Sequence, residues 1–184
     1  TTLQSIELHQ IAGLADSQLL SMLNAPSIRI IMCDLATARS KSTREQQKQP
    51  YQLWTNILSS NTKLQALRLI ECCLTSAQIR DLSNGLGRDN LSDRDDDDSS
   101  NCKLHLLDLR GNVLQDASCE ALATALQYNT SLTKLILQDT SLTNAGLAKI
   151  AVGLGRNQSL TKLNLRGNHL QGELGCEALA NALS

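Results

Sequence analysis

Four stretches of this 184-residue chain repeat one pattern, and that pattern limits the fold more than any other feature of the sequence. They read LQALRLIECCL from Leu64, LHLLDLRGNVL from Leu104, LTKLILQDTSL from Leu132 and LTKLNLRGNHL from Leu160, and all fit LxxLxLxx[NCT]xL. The starts at Leu104, Leu132 and Leu160 are 28 residues apart. Residues two apart, such as Leu135 and Leu137, point the same way from a strand and not from a helix. A repeat of this length is the signature of a stacked architecture, in which each unit is one piece of supersecondary structure.

Within each unit the apolar spacing then changes. Leu82 and Leu86, Leu122 and Leu126, and Ile150 and Leu154 are each four apart, the spacing of one helical face. Each unit therefore reads as a short strand followed by a helix. One such unit cannot bury its own leucines, so about three or more must stack in parallel layers. Asn112 and Asn168 fall where the chain turns out of the strand, placed to bond backbone groups that would otherwise be buried unpaired. Cys72 and Thr140 hold that position in the other two units, so the units alternate in type.

The alternating units, CCLT at 72–75 and TSLT at 140–143 against RGNVL at 110–114 and RGNHL at 166–170, resemble the ribonuclease-inhibitor type of leucine-rich repeat. That type is also found in NOD-like receptors and in the Ran GTPase-activating protein. The resemblance covers residues 64–184 firmly. It covers 1–63 loosely, through LQSIEL from Leu3, which fits a strand, and SIRIIMCDL from Ser27, which alternates. It implies an α/β leucine-rich-repeat solenoid, curved, with parallel strands on the concave side and helices on the convex side. It also implies a surface that grips other macromolecules, without implying one activity.

Two insertions interrupt the period. Residues 36–50, ATARSKSTREQQKQP, precede a helix and are mostly basic, whereas 88–101, RDNLSDRDDDDSSN, follow a helix and are acidic. They are expected on opposite edges of the stack, as solvated spacers. Asp93, Asp95 and Asp97 alternate as in a calcium loop, but Asp98 stands where the glycine belongs and Leu104 where the bidentate glutamate belongs, which argues against calcium. The whole chain thus reads as one domain of about six units, 1–63 degenerate and 64–184 clear. The apolar helix CEALANALS, with Leu179 and Leu183, predicts that more chain or a partner subunit covers it.

No catalytic or metal constellation emerges. His9, His105 and His169 lie on or beside different strands, and no zinc-type cysteine spacing occurs among Cys33, Cys72, Cys73, Cys102, Cys119 and Cys176. Cys119 and Cys176 both precede EALA and are read as core filler, and the six cysteines as reduced thiols of a cytoplasmic or nuclear protein. The sequons at Asn129 and Asn157 are expected to be unused there. The glycines of NGLGR and VGLGR, 84–88 and 152–156, are expected as left-handed helix caps. Tyr51 and Trp54 open the helix after the first insertion and read as core filler, with an aromatic anchor on the convex edge as the alternative.

With a formal net charge of -1 and no long apolar run, neither nucleic acid nor membrane is indicated. The function expected is noncatalytic protein binding, with no cofactor, metal or small-molecule substrate, by a scaffold or adaptor that could sit in a large assembly. The expected contact surface is the outward side of the strands. It comprises Arg68 and Glu71, then His105, Asp108 and Arg110, then Lys134, Gln138 and Asp139, then Lys162, Asn164 and Arg166. The alternatives are a GTPase-activating protein like the Ran activator and the sensor or autoinhibitory arm of a NOD-like receptor.

Overall fold

The structure, a computed structural model, describes the backbone of residues 5–9 and 30–34, and residues 52–61, 63–87, 103–170 and 173–184 in full. The two insertions, with the calcium-like run, and Tyr51 lie outside these residues. Six parallel strands form one sheet in chain order: β1 (Ser5–His9), β2 (Ile30–Asp34), β3 (Ala66–Ile70), β4 (Leu106–Asp108), β5 (Lys134–Ile136) and β6 (Lys162–Asn164). The helices α1 (Leu53–Ser60), α2 (Ser76–Leu86), α3 (Asp116–Tyr128), α4 (Asn144–Leu154) and α5 (Glu173–Leu183) follow their strands and pack on one another in the same order. Neighbouring strands lie about 4.8 Å apart and packed helices about 8–10 Å apart, so such a stack bends with the sheet inside.

The repeated leucines fill the space between sheet and helices. Leu67, Leu69, Leu107, Leu109, Leu135 and Leu137 are fully buried, as are Leu82, Leu122 and Ile150 on the helices. Each such burial stabilises by roughly 1.5–3 kcal/mol before the ordering entropy is subtracted. In the sixth unit Leu163, Leu165 and Leu179 are half-buried and Leu183 is exposed. Cys176 shares this exposure, whereas Cys119 at the matching place in α3 is buried. The core role read for Cys119 holds, and Cys176 does not share it here.

The alternation of unit types has a backbone cause. Directly after the strand all four clear units require a positive φ: 53° at Glu71, 71° at Gly111, 53° at Asp139 and 70° at Gly167. Glycine adopts this without strain, whereas an acidic residue gives up about 1 kcal/mol or more. The glycine units are the ones with asparagine in the turn. A side chain at Gly111 would meet Glu71 Cγ, and one at Gly167 would overlap the Asp139 carboxylate. The acidic residue of one unit thus occupies space that the glycine of the next leaves empty.

Two sets of asparagines tie the units together. Asn112 Nδ2 donates to the carbonyls of Leu69 at 2.6 Å and Leu109 at 2.9 Å, while its Oδ1 accepts from Leu74 N at 3.2 Å. Asn168 repeats this with Leu137 and Leu165, and its Oδ1 accepts from Thr140 N and Leu142 N. The second set, at the helix-to-strand turns, was not read from the sequence. Asn129 Nδ2 donates to Leu86 O and Asn157 Nδ2 to Leu126 O and Asn129 O, while each Oδ1 accepts backbone N–H groups just beyond it. These are the two sequon asparagines. Their amide nitrogens are engaged inside the stack, a physical reason why they would not accept a glycan.

Helix ends correct one expectation. Gly87 and Gly155 are C-caps, but their φ values of -81° and -60° are right-handed, not left-handed. The glycines within these segments instead permit close helix packing. A Cβ on Gly153 would overlap the Ala123 carbonyl oxygen, and one on Gly85 would lie 2.9 Å from Leu58 Cδ1. Thr75 and Gln78 form a capping box on α2, and Thr143 caps α4. The short helix α1 lacks a side-chain cap of its own at Gln52, and Asp81 of α2 supplies one. Trp54 of α1 is buried in the core, as read.

Candidate partner-binding face

Strand register places the outward residues in rows. One row runs Ala66, Leu106, Lys134, Lys162, and the next runs Arg68, Asp108, Ile136, Asn164. A third follows beyond the strands: the backbone bonds Leu109 N to Ile136 O, Gly111 N to Gln138 O and Asp139 N to Arg166 O carry the ladder on through Arg110, Gln138 and Arg166. The turn then presents Glu71 and Asp139, both exposed.

Asp108 is 1% exposed and accepts at 2.6 Å from the Arg110 guanidinium; its other oxygen accepts Arg110 N at 3.1 Å. This carboxylate is already committed inside the protein. Asn164 makes the matching turn bond to Arg166 N at 3.0 Å but leaves the Arg166 side chain exposed. Arg110 is held charged above its ordinary range by the hydrogen bond and charge of Asp108, with smaller help from Asp139 and Glu71. The two arginines, equivalent by sequence, therefore differ in availability. Gln138 donates to Asp139 at 2.9 Å and accepts from Asn164 at 3.3 Å, which fixes the middle of the face.

Arg68 and Lys134 are half-buried and Lys162 is exposed; among the described residues none of these three, nor Arg166, is in an ion pair. His105 stands one residue before β4, at the edge of the sheet, with its Nδ1 3.0 Å from Ser131 O. The structure thus brings ten of the eleven expected residues to the sheet face or its following turn and puts His105 at the other end of the strands. Lys63 and Lys103, not singled out from the sequence, stand exposed at that same end; their shared place just before a strand was the signal available.

Burial raises the Cys119 thiol to about 11, with Asp116 adding to the shift, so it stays neutral. No group of three or more His, Cys, Asp or Glu that could hold a metal ion occurs among the described residues, and no helix there is long and apolar enough to cross a membrane. On the helix side, α2 and α3 border an open groove of about 780 Å³ over Arg80, Glu120 and Tyr128.

A family model described as Leucine Rich repeat matches three successive segments, residues 100–123, 128–151 and 156–180, each holding one strand and the first part of the helix that follows it. These are leucine-rich repeats. Among solved structures, this chain is similar to one titled Leiomodin-1 Actin-Binding Site 2, at 19% identity and a TM-score of 0.62, over 94% of this chain and 89% of that one. It is also similar to an internalin (inlF) from Listeria monocytogenes str. 4b F2365, at 16% identity and a TM-score of 0.48, over 96% of this chain and 38% of that one. No curated protein matches the sequence. At 19% identity the leiomodin-titled structure supports the fold alone.

Proposed function

We propose that this leucine-rich-repeat protein is a noncatalytic, intracellular binding scaffold of the ribonuclease-inhibitor subtype. It grips a protein partner, within a larger assembly, on the exposed face of its sheet. The observation that carries the reading is the set of cations Arg68, Lys134, Lys162 and Arg166, on or just after the strands and in no ion pair among the described residues, held over a filled core. A charged side chain on a rigid ladder contributes more to recognition than one on a mobile loop, because less ordering entropy is lost when it binds. The subtype is supported by the alternation of Cys72 and Thr140 with Asn112 and Asn168.

Actin is the first defined partner to test, since the similar solved structure is titled as an actin-binding site. The wild-type chain and an Arg68→Glu/Arg166→Glu variant are compared in cosedimentation with filamentous actin and in capture from cell extract, after matching their melting temperatures. Arg110 is left intact because its guanidinium holds Asp108. Partners retained by the wild type and lost by the variant support the sheet face; identical partner sets for both overturn it.

A further inference from the structure

Charge is segregated across the sheet. At the end where the strands leave, acidic and basic groups are mixed: Glu71, Asp108 and Asp139 beside Arg110 and Arg166. At the end where the strands begin, the segments 61–66, 103–106, 129–134 and 157–162 contain no carboxylate at all. They carry Lys63, Lys103, Lys134 and Lys162, with His105 between them, and no ammonium group among these is in an ion pair within the described residues.

This edge is ordered. Leu106 N donates to Gln65 O, Lys134 N to His105 O and Lys162 N to Thr133 O, at 2.9–3.1 Å. The hydroxyls of Thr133 and Thr161 close the same steps by donating to His105 O at 3.0 Å and Thr133 O at 3.1 Å. Lys134 and Lys162 are direct register partners. Like charges on neighbouring strands destabilise one another, and an anion bound between them would relieve that repulsion.

We infer that this lysine rim is a binding site for an acidic peptide segment of a protein partner, lying across the starts of strands β3 to β6. The inference rests on the protein-binding reading above and gives the partner a chemistry. Three inter-strand steps of about 4.8 Å make a rim of roughly 15 Å, the span of about five extended residues at 3.3 Å each. The four segments contain no Phe, Tyr or Trp, so the rim offers no platform for stacking bases, and the carboxylates of the opposite edge disfavour a long polyanion. A protein carboxylate run fits better than single-stranded nucleic acid.

The test is an anisotropy titration of the full chain with fluorescein-labelled peptides of about six glutamates and about six glutamines, and with a uridine oligonucleotide of the same length. Wild type is compared with Lys134→Gln/Lys162→Gln and with an opposite-edge control, Glu71→Gln. Because the chain carries its own aspartates at 95–98, each titration is repeated with those four changed to Asn, which removes competition in cis. The expected result is binding of the glutamate peptide alone, weakened about tenfold by the lysine variant and by salt raised from about 0.05 M to about 0.3 M, and unchanged by the control. Equal binding of glutamine peptide, tighter binding of the oligonucleotide, no binding in either background, or indifference to the lysine variant overturns the inference. If any of these occurs while the Arg68/Arg166 variant still loses its partners, the rim is rejected and the sheet-face reading stands.

Discussion

The Asp81 carboxylate, on α2, accepts the backbone N–H of Trp54, on α1, at 2.7 Å, 27 residues away in sequence. It also accepts the Thr55 hydroxyl at 2.6 Å while itself 3% exposed. Helix α1 begins at the level of Asp81, one unit on, so a buried acid of one repeat caps the helix of the repeat before. Asp81→Ala removes the cap and leaves donors unpaired. It is expected to cost about 2–3 kcal/mol in chemical denaturation. Amide exchange at Trp54 and Thr55 should accelerate more than elsewhere, and uniform acceleration would count against the local cap.

Asn112 and Asn168 both donate to two backbone carbonyls, and Asn168 accepts from more donors, but Asn112 is fully buried and Asn168 half-exposed. Asn112→Ala is expected to cost about 2–4 kcal/mol, since two carbonyls and an N–H lose their partner away from water. Asn168→Ala should cost less than half of that, because water reaches the freed groups. Urea midpoints of the two variants measure the ratio.

Leu135 is fully buried between layers, and Leu163, its register partner, is half-buried. Leu135→Ala should cost about 2–5 kcal/mol through the cavity it opens, and Leu163→Ala under about 2 kcal/mol. Equal losses in thermal denaturation would contradict the packing gradient along the stack.

Gly153 faces the Ala123 backbone with no space for a methyl group. Gly153→Ala is expected to destabilise by about 2 kcal/mol or more by forcing α3 and α4 apart, although alanine is the better helix former. A rise in melting temperature would show that the helices do not approach this closely.

Native alkylation followed by site-resolved mass analysis should label the exposed Cys73 and Cys176 and spare Cys72 and Cys119 until unfolding. The Cys119 pKa is raised from 9.0 to about 11, so the folded state holds the proton more tightly than the unfolded one. Its neutral thiol is therefore compatible with full stability below pH 9, and stability falls as pH rises from 9 to 11, by up to about 2–3 kcal/mol. Cys119→Ala should flatten that alkaline limb relative to wild type, and an unchanged difference between pH 8 and pH 11 would refute it.

The stack was legible because leucine spacing reports directly on which side of the backbone each residue lies. Leu135 and Leu137 could share a face only from a strand, and Ile150 and Leu154 only from a helix, so fold and layer order followed from one dimension. The candidate face was less legible. Asp108 and Asn164 are equivalent in the repeat, yet one is buried in an ion pair and the other bonds an amide. Arg110 and Arg166 share a motif and differ in freedom for the same reason. Spacing cannot report this, because it depends on which neighbours the next unit brings.

Sequence by itself determined the period, the unit of strand plus helix and the two alternating turn types, since each depends on local geometry repeated every 28 residues. Tertiary structure decided which polar groups are spent holding units together and which remain exposed. Asp81, Asn129 and Asn157 were drawn into the stack by contacts across about one repeat or more. Lys63, Lys103, Lys134 and Lys162 gathered on one edge. Those contacts join residues far apart along the chain, and their cost and gain are set by burial, which exists only once the layers close.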